Sequence, residues 1–470
     1  MTDSYDIAVI GAGPAGMSAA ITASNAGARV VVLDDKPQAG GQIYRHVTDS
    51  PLADTALLGT DYTKGADLVA EFNACRAEKI TAANVWHVDE SGEVLFSQAG
   101  ASASLTAREV VVSVGAMERP FPIPGWHLPG VMTAGSAQVM LKSDGLVRED
   151  AVFVGSGPLL YLIVAQYLRL GVKVKALVDT TPKQNYLAAS HLLPGAFGHL
   201  SVLTKGLGLL NEIRQAGVPV YKYAEDLNIR GALKAEALSF TSKGVQHELT
   251  AEHIFLHQGV IPNLNMTRAI GVEHSWNQQQ LSWQPQTNDW GQTSVQHIAV
   301  AGDGRGIIGA DAAQLSGQLV AWQQLARLGL ISAADAANHS QPLQQKLKSY
   351  QGLRRFIDRL YQPMDALRKP FRPETMVCRC EEQTQGQLRA AFDQGARLPD
   401  ELKGLTRCGM GPCQGRQCGH IVSELLAEWQ GCEVEEVGYY RLRSPMRLIN
   451  LTELARFQPH HQTARTEVKL

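Results

Sequence analysis

The sequence predicts an α/β chain built on two dinucleotide-type units, with a small helical module towards its C-terminal end. Three observations predict it. Tyr5-Asp6-Ile7-Ala8-Val9-Ile10 runs directly into Gly11-Ala12-Gly13-Pro14-Ala15-Gly16. The same order restarts at Ala151-Val152-Phe153-Val154, followed by Gly155-Ser156-Gly157-Pro158-Leu159-Leu160. Finally, Cys378, Cys380, Cys408, Cys413 and Cys418 fall within one short stretch.

With 470 residues, 44% hydrophobic and 19% charged, the chain can bury several cores and has no mark of disorder. A formal net charge of -2 gives no reason to expect nucleic acid or an anionic membrane as a partner. The N-terminus enters a hydrophobic strand without a basic region or cleavage site, so a cytoplasmic location is expected. No apolar run reaches the roughly 18 to 20 residues of a membrane span. Any membrane contact is expected to come through partners.

In the first unit each glycine has a task. Gly11 permits the tight turn, Gly13 admits a pyrophosphate, and Gly16 lets helix and strand pack closely, while Pro14 and Ala15 open a helix whose amides face the phosphates. Arg29-Val30-Val31-Val32-Leu33 then ends on Asp34, placed to accept hydrogen bonds from an adenosine ribose. Far downstream, His297-Ile298-Ala299-Val300-Ala301 ends on Gly302-Asp303 before another helix, an acid suited to a ribityl chain. Together these point to FAD.

This combination resembles the two-domain flavoprotein disulfide reductase-like superfamily, whose FAD domain is interrupted by an inserted NAD(P)-like domain. The resemblance implies that Gly115, within Ser113-Val114-Gly115-Ala116, lies beside FAD, and Gly41 and Gln42 are counted with it as cofactor-binding. Around Gly40-Gly41-Gln42-Ile43-Tyr44-Arg45 there is no cysteine pair, so a thiol-disulfide relay is not expected. The domains implied are an FAD domain of residues 1–145 and 250–332, an NAD(P)-like domain of 146–249, a connecting helix in 333–371, a 2Fe–2S domain of 372–455 and a tail of 456–470.

The second unit is weaker. Leu160 stands where the third glycine would be, and counting from the first glycine puts Val178, not Asp179, at the place of Asp34. NAD or another adenine nucleotide is the expected ligand if any binds. The segment Asp179-Thr180-Thr181-Pro182 offers no basic pair for a 2'-phosphate.

Thiolates cluster in this way to hold a soft metal, and four suffice for zinc or for a 2Fe–2S cluster. A redox flavin on the same chain favours iron-sulfur, because zinc carries no electrons. The arrangement resembles the bacterioferritin-associated ferredoxin-type domain. By that resemblance Cys378, Cys380, Cys413 and Cys418 are the ligands, with Cys408 their competitor, in particular for the place of Cys418. Arg407 and Arg416 are either partners of the anionic cluster or solvated charge.

Thr406-Arg407-Cys408-Gly409-Met410-Gly411-Pro412-Cys413-Gln414-Gly415-Arg416, with Gly40 to Arg45 and Arg443-Ser444-Pro445-Met446-Arg447-Leu448, resembles the α-type subunits of heteromeric amino-acid and imino-acid dehydrogenases. That family includes the larger-lettered components of three complexes: the A component of opine oxidase, the α component of D-hydroxyproline dehydrogenase and the B component of hydrogen cyanide synthase. The resemblance implies an oxidoreductase subunit that relays electrons through FAD and a 2Fe–2S centre. A partner flavoprotein subunit related to D-amino-acid oxidase would oxidise the C–N bond, and a further small subunit is an open alternative. No His/Asp/Ser constellation is visible, and no catalytic residue is expected. Two other readings stand beside this one: a self-contained NAD(P)H-dependent reductase, and a scaffold whose cofactors only hold a partner.

Overall fold

The computed structural model describes residues 4–457. The expected tail lies outside the described residues from 458 onward.

The first strand, β1 (Ser4–Ile10), is apolar at every position after Asp6 and sits at the centre of a seven-stranded sheet. It pairs in parallel with β2 (Val30–Leu33), beyond which lies β3 (Glu78–Ile80). On the other side it pairs with β6 (Ala101–Val112), which first runs antiparallel to β5 (Glu93–Gln98), itself paired to β4 (Asn84–Val88). The far end of β6 receives β19 (Ile298–Val300), so one sheet is assembled from both ends of a long chain segment. Helix α1 (Pro14–Asn25) starts on its glycine turn and packs against α4 (Ala310–Arg327); a Cβ on Gly317 would lie 2.0 Å from Ala15 O.

The second sheet has the order β11 (Val220–Lys222), β10 (Val174–Asp179), β9 (Ala151–Gly155), β15 (Ile254–His257), β8 (Val131–Thr133). Helices α2 (Ala134–Asp144) and α3 (Pro158–Arg169) cover one face. A three-stranded antiparallel sheet, β12 (Ala224–Arg230), β13 (Ala237–Ser242) and β14 (Val245–Thr250), shares a core with the other face through Val152, Val154 and Leu238. β8 lies before the 146–249 expected for this body and β15 after it, yet both are strands of the second sheet. The two bodies are joined by β7 (Ala116–Glu118) and β16 (Val260–Pro262), an antiparallel pair.

Helix α5 (Ala333–Leu360) continues through Pro342. It stacks His339 on Trp322 of α4, centroids 4.0 Å apart, and crosses the second body where Gly352 meets Gly195. The cysteine module follows: a short helix α6 (Asp365–Arg368), the pair β20 (Met376–Cys378) and β21 (Gln383–Thr384), and helices α7 (Gln385–Asp393), α8 (Pro399–Thr406) and α9 (Gly419–Gln430). Its core is shared with a hairpin of the first body, β17 (His274–Asn277) and β18 (Ser282–Pro285), through Trp276 and Trp283. Among the described residues no helix is long and apolar enough to cross a membrane.

Candidate cofactor and thiolate sites

The glycine turn after β1 is shaped by close contacts. Gly11 has φ +105°, and a Cβ there would stand 2.6 Å from Ser113 O; one on Gly16 would stand 1.8 Å from Gly11 O. No side chain fits at either place. Asp34 closes the turn, accepting from Ala12 N at 2.6 Å and from Lys36 N at 2.8 Å. Burial raises its carboxyl above the usual value, opposed by those two backbone donors. The segment 40–45 folds onto the same turn: Gly40 N donates to Ala12 O, and Gly41, with φ +61°, places its Cα side against Gly13.

The remaining predicted residues converge here. Gly302 abuts Ala15, and the Cβ position of Gly304 lies 3.8 Å from Gly115 N. Asp303 Oδ1 accepts from Ile308 N and Gly309 N, at 2.8 and 3.0 Å, fixing the turn ahead of α4. Thus Gly11, Gly13, Pro14, Ala15, Gly16, Asp34, Gly41, Gly115, Gly302 and Asp303 gather at one end of the first sheet. Gln42 lies beside them and accepts from Arg45 Nη2 at 3.2 Å.

Two contributors escaped the sequence reading. Tyr44 is fully buried, with its ring where a Cβ on Gly65 would be, and receives Gln314 Nε2 on its hydroxyl. Lys142, on α2, buries its amine on Gln42 O, Ile43 O and Gln138 Oε1, and so pins the segment that carries Gly41 and Gln42. Burial, with Arg45 adding repulsion, pulls its amine down to about 7. The available signal was a lysine at a helical position shared with Ala134, Ala137, Gln138 and Leu141, all buried.

In the second unit the strand register alters the count made from sequence. Asp179 pairs with Gly155, just as the pairing of Ile10 with Leu33 brings Asp34 opposite Gly11. An irregularity between Val174 and Ala176 absorbs the extra residue, so Asp179, not Val178, is the counterpart of Asp34. Unlike Asp34, which is half-buried, this acid is closed off from solvent, 4% exposed, with Oδ1 accepting from Thr181 N at 2.9 Å and Oδ2 from Tyr161 Oη at 3.0 Å. Beside Gly157 lies His257, whose Nδ1 donates to Glu118 at 2.7 Å; Glu118 also accepts from Gly135 N. That acid puts negative charge where a diphosphate would approach.

Cys378 ends β20, Cys408 follows α8 after the left-handed Arg407, and Cys418 caps α9. These three are buried and their Sγ atoms lie within 4.8 Å of one another. Cys380 is exposed and Cys413 half-buried; Cys380 packs on the same loop, its Cβ 2.3 Å from the Cβ position of Gly411. Cys408 therefore lies with Cys378 and Cys418. Hydrogen bonds from Cys408 and Cys418 draw the Cys378 thiol down to about 2, while Cys408 and Cys418 are pushed up. One negative charge shared by three dry sulfurs, with two more sulfurs at the rim, is a donor set suited to a soft, multiply charged metal centre.

The two arginines differ. Arg407 is exposed and bound to Glu381 at 2.9 Å, whereas Arg416 is largely buried, donates to Met446 O, and leaves Nε without an acceptor near Cys413. Behind the sulfurs stands an aromatic wall that the sequence did not announce. Tyr439 packs against Trp283, His420 and the ring of Tyr440, and Arg268 lies over both Trp283 and Tyr439 at 4.7 and 4.6 Å.

The hairpin β17–β18 touches both regions. Gln280 exchanges two hydrogen bonds with the backbone of Ile307, just after Asp303, while Trp276 and Trp283 enter the cysteine core.

Comparison with known proteins agrees with this geometry. The pyridine nucleotide-disulphide oxidoreductase family matches residues 5–323, and the BFD-like [2Fe-2S] binding domain matches residues 376–428. The A component of opine oxidase from Rhizobium meliloti is 40% identical over 97% of this chain and 88% of its own. Hydrogen cyanide synthase subunit HcnB of Pseudomonas aeruginosa is 29% identical over 93% and 96%. Among solved structures, L-proline dehydrogenase from P. horikoshii superposes with a TM-score of 0.69 at 18% identity, covering 96% of this chain and 80% of that one, a likeness of fold. The chain belongs to the pyridine nucleotide-disulphide oxidoreductase family and, within it, to the family of the opine oxidase A component: it is an FAD- and 2Fe–2S-containing oxidoreductase.

Proposed function

We propose that this chain is the electron-transfer subunit of a heteromeric dehydrogenase or oxidase acting on the C–N bond of an amino acid, imino acid or opine. A partner flavoprotein subunit related to D-amino-acid oxidase oxidises the substrate. The observation that carries the reading is the hairpin β17–β18, held at Gln280 to the turn after Asp303 and at Trp283 to the cysteine core. The names of the relatives, subunits of opine oxidase, hydrogen cyanide synthase and sarcosine oxidase, supply the substrate class and the need for partners.

In this reading the amides of Gly11 to Gly16 at the head of α1 hold the FAD diphosphate, Asp34 the adenosine ribose and Asp303 the ribityl chain, with Gly41, Gln42 and Gly115 lining the path. Cys378, Cys380, Cys413 and Cys418 hold the 2Fe–2S centre, with Cys408 behind them. FAD supplies two-electron chemistry and the iron-sulfur centre one-electron transfer. The protein's part is to fix their positions and keep the space between them dry, which the packed Trp276, Trp283 and Tyr439 do.

The test is purification of the native complex, with co-purifying chains identified and iron, sulfide and flavin measured per chain. A lone chain that turns over an amine by itself would refute the reading. Serine variants of the five cysteines test the ligand set: Cys408→Ser is expected to keep its iron, and loss of iron there with retention in Cys380→Ser would exchange the two. A second reading, an NADH-dependent reductase, draws on the register of Asp179 opposite Gly155. It predicts rapid anaerobic bleaching of the flavin by stoichiometric NADH; the buried Asp179 and nearby Glu118 favour no bleaching.

A further inference from the structure

We propose that Tyr440 raises the reduction potential of the 2Fe–2S centre by donating its phenol hydrogen to Cys418 Sγ; this rests on the reading that Cys378, Cys380, Cys413 and Cys418 hold that centre. Tyr440 Oη lies 3.8 Å from Cys418 Sγ and 3.4 Å from Cys408 Sγ, and the residue is 2% exposed. A Cys418 that holds iron is an anionic acceptor with no proton of its own, so the phenol is the donor there, and Cys418 accepts more strongly than the neutral thiol of Cys408. Both of its hydrogen-bond contacts among the described residues are to sulfur, and neither an oxygen nor a nitrogen acceptor competes.

The position is enforced by the cysteine loop itself. A Cβ on Gly409 would stand 2.7 Å from the Tyr440 ring, and one on Gly415 2.8 Å, and both glycines have positive φ. The loop is therefore glycine-rich at the places where this ring enters. Tyr439, next in the chain, points elsewhere: Gly419 gives it room, and its hydroxyl donates to Gly415 O at 3.4 Å. The adjacent tyrosines thus serve different ends, one facing sulfur and the other backbone.

A donor aimed at a thiolate favours whichever redox state carries more negative charge on sulfur. Reduction adds one electron to the centre and moves no proton, since the phenol hydrogen stays on Tyr440 and only its bond to sulfur strengthens. In water such a donor would be one among many. Here Cys408 and Cys418 are 0% exposed, so no solvent donor replaces it. The consequence is a centre more readily reduced by the flavin than the same four thiolates would make alone.

Tyr440→Phe keeps the ring that fills the loop and deletes only the hydroxyl. In the full-length holoprotein, iron and sulfide are measured first, and then the midpoint is taken by dye-mediated titration with dithionite, reading the EPR signal of the reduced centre. Poised at the wild-type midpoint, Tyr440→Phe is expected to show at least a threefold lower ratio of reduced to oxidised centre, a negative shift of about 28 mV at 59 mV per decade for one electron. Tyr439→Phe is the control and leaves the ratio unchanged. If Tyr440→Phe does not retain its centre, a fluorotyrosine placed at 440, a more acidic donor of nearly the same shape, is expected to raise the midpoint. An unchanged midpoint in a fully loaded Tyr440→Phe protein, or with fluorotyrosine at 440, overturns the role given to Tyr440. Wild-type protein without iron or sulfide overturns the cluster reading instead, and the inference with it.

Discussion

Within the cysteine module a buried ion pair joins α6 to α9, and removing one partner should cost more than removing both. Arg368, at the end of α6, pairs with Glu424 in the middle of α9, and each side chain is 6% exposed. Arg368 also reaches Asp365 Oδ1 at 2.5 Å, while its Nε has no acceptor. Glu424→Leu leaves the buried guanidinium with only the largely exposed carboxylate of Asp365, and a buried charge that loses its buried partner costs about 3–5 kcal/mol. The double variant Arg368→Met, Glu424→Leu strands nothing and fills the volume with apolar atoms. Its stability should return to within about 1 kcal/mol of wild type, or exceed it. Urea unfolding of the holoprotein, followed at the visible absorbance of the iron-sulfur centre, measures both. With a slope of about 1–3 kcal/mol per molar urea, the single variant should lose its centre at least about 1 M earlier. A single variant within about 1 kcal/mol of wild type would refute the reasoning, as would a double variant no more stable than the single one.

Lys142→Met should remove a pH dependence. The folded amine sits at about 7 against an ordinary 10.5 because of burial, so between those values the unfolded chain holds a proton that the folded chain has released. Wild-type stability relative to Lys142→Met should therefore rise with pH from about 7 to 10.5, by up to about 1.4 kcal/mol per unit, and be flat below 7. Denaturation midpoints of the two proteins across that range check it. Asp34→Ala leaves Ala12 N and Lys36 N without their acceptor and removes the ribose partner; at about 1.5–3 kcal/mol for a bond to a charged group, FAD should bind roughly ten- to a hundredfold more weakly by fluorescence titration. Gly16→Ala places a methyl 1.8 Å from Gly11 O and should push α1 off the sheet, giving protein with little bound flavin per chain.

The parts of the fold that were legible from sequence are those specified locally. Gly11 and Gly16 announce a strand–turn–helix because only glycine fits those contacts, and the five clustered cysteines announce a soft metal by composition alone. What failed depended on register and on distant contacts. Counting residues placed Val178 at the ribose position, but one irregularity between Val174 and Ala176 shifts Asp179 into it. No periodicity could reveal that slip. Nor could linear spacing separate the sulfurs: Cys408 reaches Cys378 and Cys418 because α8 and α9 pack against each other, bringing the two ends of the loop together. Tyr440, Lys142 and the hairpin carrying Trp283 owe their importance to partners far along the chain, where pattern has no reach.

The glycines that admit Tyr439 and Tyr440 tie the cysteine loop to the flavin domain. The inner wall of the loop is formed by the segment around 439 and 440. That segment continues to Met446, whose amide donates to Trp86 O at 2.9 Å and whose side chain is buried against the first sheet. One short segment thus both walls the metal site and closes onto the flavin domain, so that damage to the outer strands of the first sheet should surface as iron loss.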